Sequence, residues 1–150
     1  MNFSDFDKMV DVNGLKNDIR KAEENGQNYE DVPPATYEVK IEKMELKASK
    51  KGEPMFSCWF KILNGDYKNH LIFMNQLLKE GFHFHIVNQF LRSLETGKEI
   101  VFDTFEQYGN LIYDVKEEVE KQRLEYALEY GKKDGKYSTF KITEIFEPEF

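Results

Sequence analysis

Cysteine is almost missing from this 150-residue chain. The single thiol, Cys58, sits in the apolar run PMFSCWFKIL, so no intramolecular disulfide can form and no cysteine-based zinc site can be assembled. Histidine is nearly as scarce, with only His70, His83 and His85. The last two stand two apart in GFHFH, a spacing that could share one strand face, but no neighbouring carboxylate or cysteine completes a ligand set. The segment reads as the start of a helix with partly buried rings, and no metal or other cofactor is expected. Long apolar runs are missing too: none approaches the ~20 residues that span a bilayer, and MNFSDFDKMV has neither the basic nor the apolar region of a signal peptide. The expectation is a cytoplasmic protein without a membrane partner, in a reducing compartment. No internal repeat and no low-complexity tract is visible. Phosphate-cradling GxxxxGK[ST], GxSxG and a Cys/His nucleophile pair are all absent, so no enzyme is expected.

What is present is a chain long enough to bury a core unaided. At this length folding removes roughly 68–70% of the unfolded surface from water. Residues 1–34 form an N-terminal segment with a short amphipathic stretch from Gly14 to Glu24, on which Leu15, Ile19 and Ala22 share a helical face. Asn25-Gly26 ends that stretch, and Pro33-Pro34 separates it from a domain spanning 35–150.

From Ala35 the apolar period becomes two. Tyr37, Val39 and Ile41 alternate with charged neighbours, then the phase slips to Met44 and Leu46, which predicts a bulge near Lys43. The turn KASKKGEP leads to a second strand from Met55 to Leu63, and Asn64-Gly65-Asp66 turns into a third around Tyr67 to Met74. Helical spacing follows in two sets, Phe84, Val87, Phe90, Leu91 and Leu94, then Phe105, Tyr108, Ile112, Val115 and Val119. Leu124 to Tyr130 alternates again, KKDGK turns the chain, and Tyr137 to Phe146 makes a final strand. Three strands, a helical insertion between strands three and four, then a hairpin: this is the order of the OB-fold, a five-stranded Greek-key barrel. A β-rich α+β sandwich shares that order.

The charge balance, 21 basic against 28 acidic side chains and a net charge of -7, argues at first against a phosphate partner. Counted locally it is uneven: -4 over residues 1–34, +2 over 35–74, -4 over 75–122 and -1 over 123–150. Lysines gather in two turns, Lys47, Lys50 and Lys51 in the first, and Lys132, Lys133 and Lys136 in the last. In an OB-fold these turns flank the oligonucleotide groove. Single-strand binding also needs aromatic faces for base stacking, and Trp59, Tyr67, Tyr130 and Tyr137 are the candidates, with Lys61 and Lys68 beside them. On strand two, Phe56, Cys58, Phe60 and Ile62 form one uniformly apolar face that reads as core, leaving Trp59 and Lys61 on the other.

The segment TYEVKIEKMELKASKKGEPMFSCWFKIL, followed by GDYKNHLIFMNQ and FLRSLETGKE, resembles a bacteriophage family of unknown function whose members are commonly labelled phage single-stranded DNA-binding proteins. The motifs PPATY, KKGEPM and ILNGDYK occur together and in order, and the resemblance runs from about Leu15 to the final strand. It implies an OB-like fold and a role in handling single-stranded DNA during phage or prophage replication or recombination. It supplies no catalytic motif and no set of binding residues. Association of several copies would present several grooves to one strand.

An alternative reading is a protein-interaction adaptor that docks a phage recombinase or replication enzyme through acidic helices and an acidic C-terminus. Glu147, Glu149 and Phe150 in IFEPEF resemble in kind the acidic, Phe-terminated tails of single-strand binders, although a frayed strand end reads the same way. The acids of DVKEEVEK follow one another on one helix, which does not make the converging metal site of a nuclease.

Overall fold

The computed structural model describes residues 13–17, 32–133 and 137–148. The chain divides into two compact units, 1–31 and 32–150. Of the first, residues 13–17 are helical, with Leu15 half exposed. Ile19 and Ala22 of the expected amphipathic face lie outside the described residues.

The second unit runs β1 (Ala35–Ala48), β2 (Pro54–Ile62), β3 (Leu71–Leu77), α1 (Gly81–Ser93), α2 (Phe105–Gln122), β4 (Glu125–Lys133) and β5 (Tyr137–Phe146). The five strands form one antiparallel sheet in the order β3-β2-β1-β4-β5. β1 serves two neighbours: Ala35 to Val39 pairs with β4, and from Val39 onward the strand pairs with β2, so Val39 faces both Ile62 and Tyr126. The register shifts between Ile41 and Lys43. That bulge lets Val39, Ile41 and Met44 all point inward although they break strict alternation. A second shift, between Ala127 and Leu128, accompanies three consecutive buried residues, Tyr126, Ala127 and Leu128.

The apolar face of β2 is the centre of the core. Phe56, Cys58, Phe60 and Ile62 are fully buried, as the alternation predicts. Phe60 lies edge-on to Phe90 of α1 at 5.7 Å and stacked with Phe140 of β5 at 6.1 Å, which ties the sheet's middle to its far edge. Both helices bury the faces their spacing marks out: Val87, Phe90 and Leu91 on α1, and Tyr108, Ile112, Val115 and Val119 on α2. α2 lies against β1, where Gly109 approaches Leu46. Two buried hydroxyls find acceptors: Tyr126 donates to the Leu94 carbonyl at 3.0 Å and Tyr108 to Asn88 Oδ1.

Helix ends are set by local chemistry. Thr104 caps α2, its hydroxyl accepting from the Gln107 N–H at 3.1 Å. At α1, His83 Nδ1 accepts from the backbone N–H groups of Glu80 and Lys79. α2 ends on Arg123 in the left-handed region, φ 53°.

Two expectations change. The strands do not close into a barrel: β3 and β5 are the two ends of an open sheet, and no ladder joins them among the described residues. α1 packs against both of these ends. The third strand begins at Leu71 rather than Tyr67, because residues 64–70 make a wide turn. Gly65 and Asn69 are left-handed there, and the Lys68 and His70 N–H groups bond back to Gly65 and Tyr67. The connection from Lys98 to Phe102 contains no regular element, although Ile100 within it is buried.

Candidate nucleic-acid interface

The open sheet has an outward face whose rows are fixed by register. Lys43, Trp59 and Phe73 align across β1, β2 and β3; Glu45, Ser57 and Asn75 form the next row, and Lys40, Lys61 and Leu71 the row on the other side. Trp59 is half-buried, with Phe73 edge-on at 5.3 Å and the Lys43 ammonium 4.9 Å from its ring centroid. Ser57 donates to Asn75 Oδ1 at 2.8 Å. The lysines of β1 have acidic neighbours on their own strand: Lys43 lies 3.4 Å from Glu45 and Lys40 3.7 Å from Glu42. Such exposed pairs hold little energy, roughly 0–1 kcal/mol, yet they leave this face mixed in charge.

Around the edge of β3 the surface changes character. Between the two unpaired sheet edges, with α1 as its floor, runs a groove of about 1210 Å³. That exceeds the ~300–1,000 Å³ of an ordinary small-molecule pocket. β3 contributes Phe73, Asn75 and Gln76, and β5 contributes Tyr137, Ser138, Thr139 and Lys141. Helical spacing on α1 brings in Phe82, His85, Gln89 and Ser93, with His83, Ile86 and Phe90. Lys133 at the end of β4 completes the wall.

None of its 18 lining residues is acidic. Phe73, Phe82 and Tyr137 are exposed at 45%, 67% and 68%, so their rings are available to a ligand rather than consumed by the core. Neither Lys133 nor Lys141 forms an ion pair with a described carboxylate, although Glu129 stands opposite Lys141 in the ladder. Because Nδ1 of His83 accepts two backbone bonds, its neutral ring carries the proton on Nε2. Exposed aromatic faces, amide and hydroxyl side chains and unpaired lysines are together the equipment for stacking bases, meeting their polar edges and neutralising phosphates.

The residues singled out from sequence fall into five groups. Lys133 and Tyr137 line the groove, and Lys132 is exposed just before them; Lys136 lies outside the described residues. Trp59 and Lys61 share the outward face, which meets the groove's rim at Phe73 and Asn75. Lys47, Lys50 and Lys51 are exposed at the β1–β2 turn and Lys68 at the β2–β3 turn, and none of the four lines the groove.

Tyr67 and Tyr130 are packing residues. The Tyr67 ring lies edge-on to Tyr37 at 6.2 Å and to His70 at 5.4 Å, and the Tyr130 ring rests 5.6 Å from Phe140 against the core. Strand alternation alone could not separate them from Tyr137, since burial depends on which ring the next strand supplies. Glu147 is exposed, and Glu149 and Phe150 lie outside the described residues.

Sequence reasoning missed Phe73, Asn75, Phe82, Gln89 and Lys141. For Phe73 and Asn75 the signal was there, because they alternate with the buried Ile72 and Met74. Phe82 and Gln89 become neighbours of β3 and β5 only through the tertiary placement of α1. Cys58 contributes no chemistry: it is fully buried, and burial pushes its thiol well above the ordinary range, which keeps it protonated. Among the described residues no cluster of three potential metal ligands occurs, and no helix is long and apolar enough to cross a membrane.

Fold and groove together define a β-rich α+β protein with an open five-stranded sheet and an uncharged-to-basic cleft between its two edges. The chain belongs to the family described as Protein of unknown function (DUF669), whose model matches residues 17–127, about three quarters of its length. No curated protein matches the sequence.

Proposed function

We propose that this chain is a non-enzymatic single-stranded DNA-binding protein, with an OB-like fold left open at its β3–β5 seam, that acts in the replication or recombination of phage or prophage DNA in the host cytoplasm. The fold part of the reading draws on the strand order, in which β1 is shared by β2 and β4 and a β4–β5 hairpin follows the helices; OB barrels are themselves partly open. The phage setting draws on the resemblance carried by PPATY, KKGEPM and ILNGDYK.

One observation carries the functional part. In a chain with 28 acidic side chains, the groove between the β3 and β5 edges is lined, among the described residues, by no carboxylate and by three exposed aromatic rings. Bases stack on Phe73, Phe82 and Tyr137 while Lys133 and Lys141 neutralise phosphates. Every base has a face to stack, so binding is tolerant of sequence. The test is fluorescence anisotropy of a labelled oligo(dT) of about 16 nucleotides titrated with the full chain at two salt concentrations. Affinity falls as salt rises, with a log–log slope near -0.7 for each phosphate neutralised. Absence of salt-sensitive binding at micromolar protein would remove the reading.

A further inference from the structure

On the side of α1 turned away from the groove, Phe84 gathers a second set of rings. Phe102 lies 4.5 Å from it, Phe105 lies 5.2 Å from Phe102, and Tyr108 closes the cluster beneath. Unlike the core, this cluster is open to solvent: Val101, Phe102 and Phe105 are exposed at 47%, 39% and 43%. Its surroundings are acidic. Glu99, Asp103 and Glu106 are exposed and none pairs with a described cation, against two cations nearby, Lys98 and Arg92, the latter spending one guanidinium N–H on the Ile100 carbonyl at 3.0 Å. An apolar patch with a polar rim is the usual form of a protein docking site.

The rim decides what can dock. Two copies joined patch to patch about a two-fold axis would bring three carboxylates against three, a juxtaposition that costs rather than stabilises. The occupant must be basic. Two exposed lysine clusters lie among the described residues: Lys133 and Lys141 line the groove, which leaves the β1–β2 turn, where Lys47, Lys50 and Lys51 are exposed and none pairs with a described carboxylate. The turn is held in shape by Ser49, whose N–H donates to the Glu53 carbonyl at 2.7 Å, and by a left-handed Gly52. Lysine stems lie well on aromatic rings while their ammonium groups reach a surrounding ring of carboxylates.

We propose that the aromatic patch of Val101, Phe102 and Phe105 receives the Lys47–Lys51 turn of a second copy of this chain, head to tail. Such a contact uses different surfaces on the two partners, so each copy can take on another, ending in a ring where the rotation closes and in an open row where it does not. Three apolar side chains make a small contact, below the ~1,200 Å² of a stable interface, so association in free solution is weak and falls with salt.

Sedimentation velocity of the full chain over a protein concentration series at low salt tests this without DNA, and therefore independently of the proposed function. The wild-type coefficient rises with concentration and returns to the monomer value in high salt. Phe102→Ser with Phe105→Ser breaks the patch, Lys50→Glu with Lys51→Glu breaks the turn, and each double variant remains monomeric throughout. Mixed in equal amounts the two variants form dimers and nothing longer, since one intact patch then meets one intact turn. Glu99→Lys with Glu106→Lys, which keeps every ring, is likewise monomeric alone and associates with the Lys50→Glu/Lys51→Glu variant. A wild-type protein that stays monomeric across the series, variants that associate as wild type does, or mixtures that remain monomeric would each overturn the proposal.

Discussion

Tyr137 is the sharpest probe of the groove. It is the first residue of β5, exposed at 68%, and its ring makes no aromatic contact with a described residue. Truncating a side chain so exposed changes stability by about 0.5 kcal/mol or less, so any effect on binding is not inherited from unfolding. Stacking a base on an aromatic face contributes about 1–3 kcal/mol, which converts to a loss of roughly 5- to 150-fold in affinity for Tyr137→Ala. Tyr137→Phe keeps the ring and removes only the hydroxyl, so it binds close to wild type. Tyr130→Ala provides the contrast: its ring packs on Phe140 at 5.6 Å, so its removal lowers thermal stability. Affinity of the protein that remains folded is little changed. Anisotropy with labelled oligo(dT), alongside thermal unfolding of each variant, separates the outcomes. Equal affinities for wild type and Tyr137→Ala would refute the assignment of this ring as a stacking platform.

Replacing Lys133 and Lys141 by Glu removes two phosphate contacts, so the log–log salt slope of oligo(dT) binding becomes shallower by about 1.4, as measured by anisotropy at four or so salt concentrations. Burial raises the Tyr108 hydroxyl to about 12, against a smaller opposing effect of Arg92, and raises Tyr126 further. A folded-state value above the unfolded one means stability is complete below about pH 10 and is lost as pH climbs toward 12, by up to roughly 2 kcal/mol for Tyr108; urea midpoints at pH 9, 10 and 11 should fall in that order. Arg123 holds a left-handed conformation at the end of α2, φ 53°, so Arg123→Gly raises stability by about 0.5–1 kcal/mol, read as an upward shift of the thermal midpoint.

How far the fold was legible depended on how local its causes are. The buried face of β2, the slip near Lys43 and both amphipathic helices are written in spacing, because each follows from the pleat or the helical repeat of one segment. The β4–β5 pairing, with Lys133 opposite Tyr137, was equally local. The open seam was not, since whether β3 meets β5 depends on how two strands far apart in sequence are placed by the rest of the fold. The site divides in the same way. Lysine-rich turns and exposed strand aromatics mark Lys133 and Tyr137, but Phe82, Gln89 and Lys141 become one surface only when a helix and two strands distant in sequence converge. Tyr67 shows the limit from the other side: a tyrosine beside a turn reads as available until Tyr37 and His70 are found against it.

The distribution of charge, rather than its total, is what a polyanion would meet, and this can be isolated by experiment. Gln89 lies in the groove on α1, whereas Asn110 is exposed on α2 and does not line it. Gln89→Glu and Asn110→Asp each convert an amide to a carboxylate of nearly the same shape, and each moves the net charge by one unit from -7. If net charge governed the encounter with DNA, the two would weaken binding equally. A charge about 4 Å from a phosphate in water costs about 1 kcal/mol, and more where the groove excludes solvent, whereas one more than a Debye length away, about 10 Å at 0.1 M salt, is largely screened. Gln89→Glu should therefore weaken oligo(dT) binding by about fivefold or more, while Asn110→Asp leaves it near wild type. Equal effects of the two substitutions would mean that the absence of carboxylates from the groove is incidental, and the argument from that absence to a phosphate-bearing ligand would fail with it.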